Sequence, residues 1–91
     1  LGLPSTPVLQ PNYPNPFNSK ATVRYSLDFA SEINLNVFNM SGKKILEVEK
    51  RQMQPGSYTV DFDCSELASG TYIARLESLG RLSETKLILV K

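Results

Sequence analysis

Apolar and polar residues alternate with a period of two along most of this chain. In four runs every second residue is apolar, and these residues are Val23, Tyr25 and Leu27; Ile33, Leu35 and Val37; Tyr58, Val60 and Phe62; and Tyr72, Ala74 and Leu76. Most residues between them are polar. Successive side chains of a β-strand point to opposite faces, so each run predicts a strand with one face on a core and the other in water.

Two further runs are less regular. Residues 44–50 mix their faces, because Ile45 and Leu46 are adjacent and both apolar. Residues 87–90 are apolar on both faces, which is typical of a strand covered on two sides or of an edge strand that receives a partner. The run is short and rich in β-branched residues, and both properties disfavour a helix.

Four segments with turn chemistry separate these runs, at residues 39–42, 54–56, 65–70 and 79–80, and each contains a glycine. Gly42 supplies the positive φ that a short hairpin loop needs. About seven short strands with no helix of useful length predict an all-β fold, an immunoglobulin-like antiparallel β-sandwich. Trp is absent and there is one Cys, so the likeness to antibody domains concerns the architecture alone.

Length and composition are those of an ordinary globular domain. The chain has 91 residues, of which 41% are hydrophobic and 21% are charged. We interpret residues 1–91 as a single domain, because a chain of this length builds one core and leaves no room for a deep pocket. The chain begins Leu-Gly-Leu-Pro, without an initiating Met or a signal peptide, so residues 1–7 are interpreted as a linker remnant from a longer polypeptide.

The composition disfavours several classes of function. The formal net charge is +1, and the basic residues are dispersed, so nothing favours a nucleic acid or a membrane surface. Histidine is absent, which removes the usual general base and the commonest transition-metal ligand. Cys64 cannot form an intrachain disulfide and is predicted to be a small, partly buried hydrophobe. We therefore predict no catalytic residue, no metal, no cofactor and no small-molecule substrate.

One acidic cluster invites a calcium hypothesis, since Asp61, Asp63, Ser65 and Glu66 lie close together. An EF-hand loop that starts at Asp61 needs Gly at its sixth place and Glu at its twelfth. Those places hold Glu66 and Tyr72. We interpret the two aspartates as solvent-facing strand residues, and a weak surface cation site stays open as the alternative.

The most unusual stretch is rich in proline and consists of Tyr13, Pro14, Asn15, Pro16, Phe17 and Asn18. Each proline restricts both its own φ and the residue before it, so the segment is stiff and extended. It is either a rigid lead-in that closes one end of the sandwich or a surface that a partner recognises. Physical reasoning alone favours the lead-in.

Four motifs occur in the order that one family shows. They are the stretch 13–18 followed by 22–27, the segment 33–43 with Ser41-Gly42-Lys43, the turn Leu67-Ala68-Ser69-Gly70-Thr71-Tyr72, and the lysine-framed strand Lys86-Leu87-Ile88-Leu89-Val90-Lys91. Over residues 8–91 the chain resembles the type A C-terminal sorting domain of cargo proteins of the type IX (Por) secretion system, a system of Bacteroidetes and related bacteria.

Three positions depart from that family's pattern. Pro11 interrupts a Gln-Asn pair that commonly precedes Tyr-Pro, Ser19 stands where a proline commonly follows the last Asn, and Phe62 stands where Trp is common. These changes preserve turn chemistry and core size.

The resemblance implies a non-catalytic secretion address. Such a domain folds in the periplasm at the end of a cargo protein and is recognised by the outer-membrane translocon. In many members a sortase-like protease then removes it and joins the cargo to a surface lipopolysaccharide, so the cargo ends at the cell surface or outside the cell. Residues 13–18, Gly42, Ser69, Gly70 and Tyr72 are then mainly structural, with Gly70 in a backbone conformation barred to other residues and Tyr72 anchoring its turn.

The candidate recognition residues are those of the last strand, Lys86, Leu87, Ile88, Leu89, Val90 and Lys91. Our hypothesis is that this strand is an exposed edge to which the translocon adds a strand of its own. In the alternative, Leu87 and Leu89 are core residues while Lys86 and Lys91 guard against aggregation. Both hold if one face packs and the other is recognised.

A carbohydrate-binding, adhesive or spacer module of a secreted enzyme is the second functional hypothesis. Carbohydrate platforms usually expose aromatic rings, but Trp is absent, and strand alternation leaves Phe38 as the aromatic residue predicted to be most exposed. The sequence leaves the cargo and the oligomeric state open.

Overall fold

The computed structural model describes residues 8–10 and 19–90. They form seven strands, which are β1 Val8–Leu9, β2 Lys20–Leu27, β3 Ser31–Asn39, β4 Lys44–Met53, β5 Gly56–Asp63, β6 Gly70–Ser78 and β7 Arg81–Leu89. Two antiparallel sheets result, one in the order β1-β2-β5 and one in the order β4-β3-β6-β7. This architecture confirms the predicted immunoglobulin-like sandwich of about seven strands. Within the described ranges no helix is long and apolar enough to cross a membrane.

The core lies between the two sheets and consists mainly of the inward residues of the predicted runs, joined by Leu9, Ala21 and Cys64. Those without measurable exposure are Ala21, Val23, Ile33, Leu35, Val37, Ala74, Leu76 and Leu87. Burying an aliphatic side chain of this kind contributes about 1.5–3 kcal/mol to stability, so this layer carries most of the fold's free energy. Cys64 is buried as predicted, and its backbone N–H donates to the carbonyl of Ser19 over 2.6 Å.

Strand β4 is irregular because it contains two β-bulges. Its register with β3 shifts twice, and Val48 and Ile45 are the extra residues that have no counterpart on β3. A bulge reverses the phase of the side chains that follow it. Ile45, Leu46 and Val48 are therefore all half-buried against the core, which explains the mixed faces of residues 44–50.

Strand β7, in contrast, pairs with β6 without a register shift from Arg81 to Leu89. It is longer than the apolar run that indicated it. Its side chains alternate, with Leu87 and Leu89 in the core and Ile88 exposed by 37%. The run is apolar on both faces because Leu87 and Leu89 fill the core, while Ile88 and Val90 place apolar side chains on the outer face.

One end of the sandwich, which we call the hairpin end, gathers three features. The β3–β4 loop at residues 40–43 adjoins the start of β6, since Asn39 pairs with Tyr72. Strand β7 ends there too, since Gly70 pairs with Leu89. Three of the four motifs of the sequence therefore have residues at this end.

The opposite end is closed by a polar contact and a tight turn. The buried hydroxyls of Ser31 and Ser78 share a hydrogen bond of 2.5 Å. The β6–β7 hairpin turns at Leu79 and Gly80, as predicted, with φ of +54° and +74°. Positive φ at both positions is typical of a type I′ turn, and a leucine in this conformation costs roughly 1 kcal/mol.

Candidate recognition surface

Tyr72 forms a tyrosine corner where the chain crosses from β5 to β6. Its phenolic O–H donates to the carbonyl of Ala68 over 2.6 Å, four residues upstream. Gly70, between them, has a φ of +156° that L side chains rarely adopt. Such a corner at the start of this strand is a hallmark of immunoglobulin-like sandwiches. The motif at residues 67–72 is therefore explained by the conformation of this turn, which Gly70 permits and Tyr72 holds.

A second corner of the same design lies at the start of β5, and the sequence patterns did not predict it. The O–H of Tyr58 donates to the carbonyl of Gln54 over 2.6 Å, and Gly56 has a φ of +148°. The ring of Tyr58 also stacks on that of Tyr25, with centroids 5.4 Å apart. The signal was the repeated Gly-x-Tyr spacing, with the glycine two residues before the tyrosine at the start of a strand.

Asn39 organises the β3–β4 hairpin. Its Oδ1 accepts hydrogen bonds from the backbone N–H and hydroxyl of Ser41, at 3.0 and 2.7 Å, and from the N–H of Lys43 at 3.0 Å. Gly42 adopts the expected positive φ, +90°. The sequence indicated Gly42 but not Asn39, although asparagine is a common organiser of turns through its side-chain carbonyl.

The predicted recognition strand is divided between core and surface. Leu87 and Leu89 are 0% and 1% exposed, whereas Lys86 is exposed and Ile88 and Val90 are exposed by 37% and 53%. Lys91 lies outside the described residues, and so do Tyr13, Pro14, Asn15, Pro16, Phe17 and Asn18. Ser69 is exposed beside Gly70.

The outer face of the four-stranded sheet continues the exposed residues of β7 across its neighbours. Phe38 on β3 pairs with Lys44 on β4 and with Ile73 on β6, and Ile73 pairs with Lys86 on β7. A row of four residues therefore crosses all four strands at the hairpin end. Neighbours in such a row lie about 5 Å apart at their Cβ atoms, so they form one continuous surface.

Arg75 borders this row and partly covers it. Its guanidinium carbon lies 4.5 Å from the centroid of the Phe38 ring, and its Nε donates to Glu84 Oε2 over 2.6 Å. Phe38 is consequently half-buried. The expectation that Phe38 is the most exposed aromatic residue is wrong, because Phe29 in the β2–β3 loop is exposed by 46%.

The acidic cluster has structural partners. Asp61 accepts a hydrogen bond of 2.6 Å from the hydroxyl of Thr22, and Asp63 accepts one of 2.8 Å from the N–H of Ser65. Among the described residues no three His, Cys, Asp or Glu side chains are placed to hold a metal ion. These bonds join β2 to β5 and shape the turn after β5.

The three-stranded sheet carries a groove of about 270 Å³ lined mainly by polar residues, including Arg24, Ser26 and Thr59. Tyr25 contributes to its lining but is only 2% exposed, so it presents no ring to a sugar. Burial, reinforced by the charge of Glu49, raises the pKa of the Tyr25 phenol. The phenol therefore stays protonated at neutral pH and supplies no base.

Comparison with solved structures supports the class of fold that the two sheets and the tyrosine corners define. The chain is similar to the Ig1 domain of mouse SynCAM 2, with 13% identity, coverage of 93% of this chain and 95% of that chain, and a TM-score of 0.51. At this identity the likeness concerns the fold alone. No curated protein sequence matches the chain.

Residues 12–91 match the family model described as the secretion system C-terminal sorting domain. The chain belongs to this family, the C-terminal sorting domains of type IX secretion, which confirms the resemblance seen in its motifs. Members are sorting signals that interact with the secretion machinery, and the proteins that carry them are exported toward the cell surface or the extracellular space.

Proposed function

We propose that this chain is a non-catalytic domain that directs a cargo protein through the type IX system across the outer membrane. Residues 1–91 act as one unit, with 1–7 as the linker to the cargo. The domain folds in the periplasm, the outer-membrane translocon recognises it, and a sortase-like protease removes it so that the cargo is attached to the surface or released. The observation that carries the proposal is the family match over residues 12–91.

Four polar side chains that bond within the fold support a role without catalysis. The hydroxyls of Tyr58 and Tyr72 bond backbone carbonyls, and the carboxylates of Asp61 and Asp63 bond neighbouring donors. Histidine is absent from the whole chain. Polar groups committed to the fold are poorly suited to act as general acids or bases.

Because alternate residues of the last strand are buried, fewer of them are available as recognition residues. Leu87 and Leu89 are enclosed by the core, so a partner of the folded domain contacts Lys86, Ile88 and Val90 instead. Deletion of residues 86–91 would remove two core leucines and unfold the domain, so it is a poor test of recognition. Point substitutions at the three exposed positions are the appropriate test.

A fusion experiment tests the address itself. The chain is attached to the C-terminus of a periplasmically exported fluorescent protein in a bacterium with a working type IX system. We expect fluorescence at the cell surface or in the medium, and we expect a translocon mutant to abolish it. Intact, folded fusion protein held in the periplasm of the wild-type strain would overturn the proposal and bring the spacer or binding module to first place.

A further inference from the structure

The outer face of the four-stranded sheet has its main group of apolar side chains at the hairpin end. We call it the terminal face and define it by Phe38, Ile73, Lys86, Ile88 and Val90. The strand register joins Phe38, Ile73 and Lys86 in one row, and Ile88 follows Lys86 on the same side of β7. Val90 continues this alternation and is exposed by 53%.

Toward the opposite end the same face becomes polar. The next row contains Glu47, Asn36, Arg75 and Glu84, and the row after it contains Lys50, Asn34, Glu77 and Leu82. Within the middle row, Arg75 and Glu84 neutralise each other in an ion pair of 2.6 Å. Leu82 is the single apolar side chain in these two rows, whereas Phe38, Ile73, Ile88 and Val90 are gathered at the hairpin end. A gathered apolar patch is the usual mark of an interaction site.

Lysines frame the apolar centre on both sides. Lys44 ends the row on β4, and Lys86 ends it on β7. Lys44 lies 3.7 Å from Glu47, with both side chains at least half exposed, so this contact offsets little of its charge. Lys43 adds a further exposed positive charge next to Lys44. The face thus presents apolar side chains between positive charges.

We propose that the terminal face is the docking surface for the secretion machinery, and that the docking segment presents apolar side chains flanked by carboxylates. This inference rests on the proposed function and adds Phe38 and Ile73 to the recognition residues of the last strand. Burial of the apolar centre supplies affinity, while carboxylates opposite Lys44 and Lys86 fix orientation. Three strands build the site, so no single sequence motif contains it.

A second copy of the domain fits this face less well than such a segment. Two identical faces related by a two-fold axis would bring lysines of one copy against lysines of the other. Like charges set against each other at an interface are unfavourable. Charge complementarity therefore favours an acidic partner over self-association.

The apolar part is tested by the double substitution Ile73→Thr with Ile88→Thr in the fluorescent fusion. Threonine keeps the β-branched shape that strands favour, so the fold persists while the apolar surface is lost. The matched control is Leu82→Thr, because Leu82 lies on the same face of the same strand, at the polar end, and is exposed by 50%. We expect a roughly tenfold loss of export for the double variant, as for truncated hot spots, and none for the control.

The charged part is tested by Lys44→Glu with Lys86→Glu, with the exposed Lys50→Glu on β4 as the control. We expect export to fall for the double variant and to persist for Lys50→Glu. Thermal unfolding of each purified fusion verifies the fold. If the threonine variant unfolds, the lysine variant still tests the face, because it alters only exposed side chains.

The outcomes separate the two proposals. Retention of the unsubstituted fusion contradicts the proposed function itself. Normal export of the unsubstituted fusion and of folded variants of both kinds overturns the terminal face alone. Loss of export with the threonines but not with the glutamates overturns the acidic character of the partner. A threonine variant that loses self-association in sedimentation while its export is unchanged shows that the face binds a second copy instead.

Discussion

The two edge strands of the four-stranded sheet are built in opposite ways. Strand β4 contains two bulges and internal ion pairs, Lys44–Glu47 at 3.7 Å and Arg51–Glu49 at 3.6 Å. Strand β7 has no bulge along its pairing with β6 and ends in apolar residues on both faces. Bulges and charges are the usual means by which a sheet edge avoids pairing with other chains.

This difference indicates which of the two edge strands presents a regular surface to a partner. The bulges twist β4 and interrupt the alternation of its side chains, so it presents no regular surface. Strand β7 keeps a constant alternation, which places every second side chain on the outer face at a regular spacing. A sorting domain that is exported past many other proteins benefits from one protected edge and one regular, recognisable strand.

The largest effect on stability is expected from truncating a core-facing side chain on each of the two edge strands. Leu87→Ala on β7 should reduce the free energy of unfolding by about 2–5 kcal/mol, because the side chain is fully buried. Ile45→Ala on β4 should cost less, roughly 1 kcal/mol, because Ile45 is half-buried at a bulge. Urea unfolding followed by circular dichroism measures both. Equal costs for the two variants would contradict the contrast between the edges.

A smaller effect on stability is expected at Gly70, the residue of β6 that lies opposite the end of β7. Gly70 pairs with Leu89 and has a φ of +156°, so Gly70→Val should cost about 1–3 kcal/mol through backbone strain. Stability should fall first, and export only as a consequence. Thr71→Val, at the next residue, is the control without that strain. Lost export from a Gly70→Val domain of unchanged thermal stability would instead indicate direct recognition.

The two tyrosine corners should each contribute a similar, moderate amount. Tyr72→Phe and Tyr58→Phe each remove one O–H to carbonyl bond, and each should cost about 1 kcal/mol. The corners lie at opposite ends of the sandwich, so the double variant should show the sum of the two costs. Urea midpoints of the two single variants and the double variant check this. A clear excess over the sum would show that the corners are coupled.

The smallest effect is expected at the exposed ion pairs. Arg75→Gln removes a bond between β6 and β7 and a contact with Phe38, and it should cost up to about 1 kcal/mol. Arg51→Gln removes a longer contact within β4 and should cost less. High salt should weaken the Arg75 pair. Thermal unfolding at low and high salt compares them, and a larger cost at Arg51 would be inconsistent with these geometries.

Local patterns accounted for most of the fold. Alternation identified the inward residues of β2, β3, β5 and β6, because the pleat of a strand is a local property. It did not resolve β4, because a bulge depends on how two strands pair. It also located only the last residues of β7, since Leu82, Glu84 and Lys86 alternate with small polar residues and carry no apolar period.

Local sequence patterns predicted only part of the proposed recognition surface. Sequence indicated Lys86, Ile88 and Val90 but could not separate them from Leu87 and Leu89, because the run is apolar throughout. Phe38 and Ile73 were not assigned to it, because they join it only through the register of β3, β6 and β7.

The sequence by itself determined the all-β class, four of the turns, the lack of a histidine-based site and the family, because each follows from residue types at short spacing. Tertiary structure alone decided which edge is bulged, which half of the last strand is buried and which residues of distant strands form one face. Those properties arise from pairing between strands far apart in sequence, where the physical cause is contact and not local propensity.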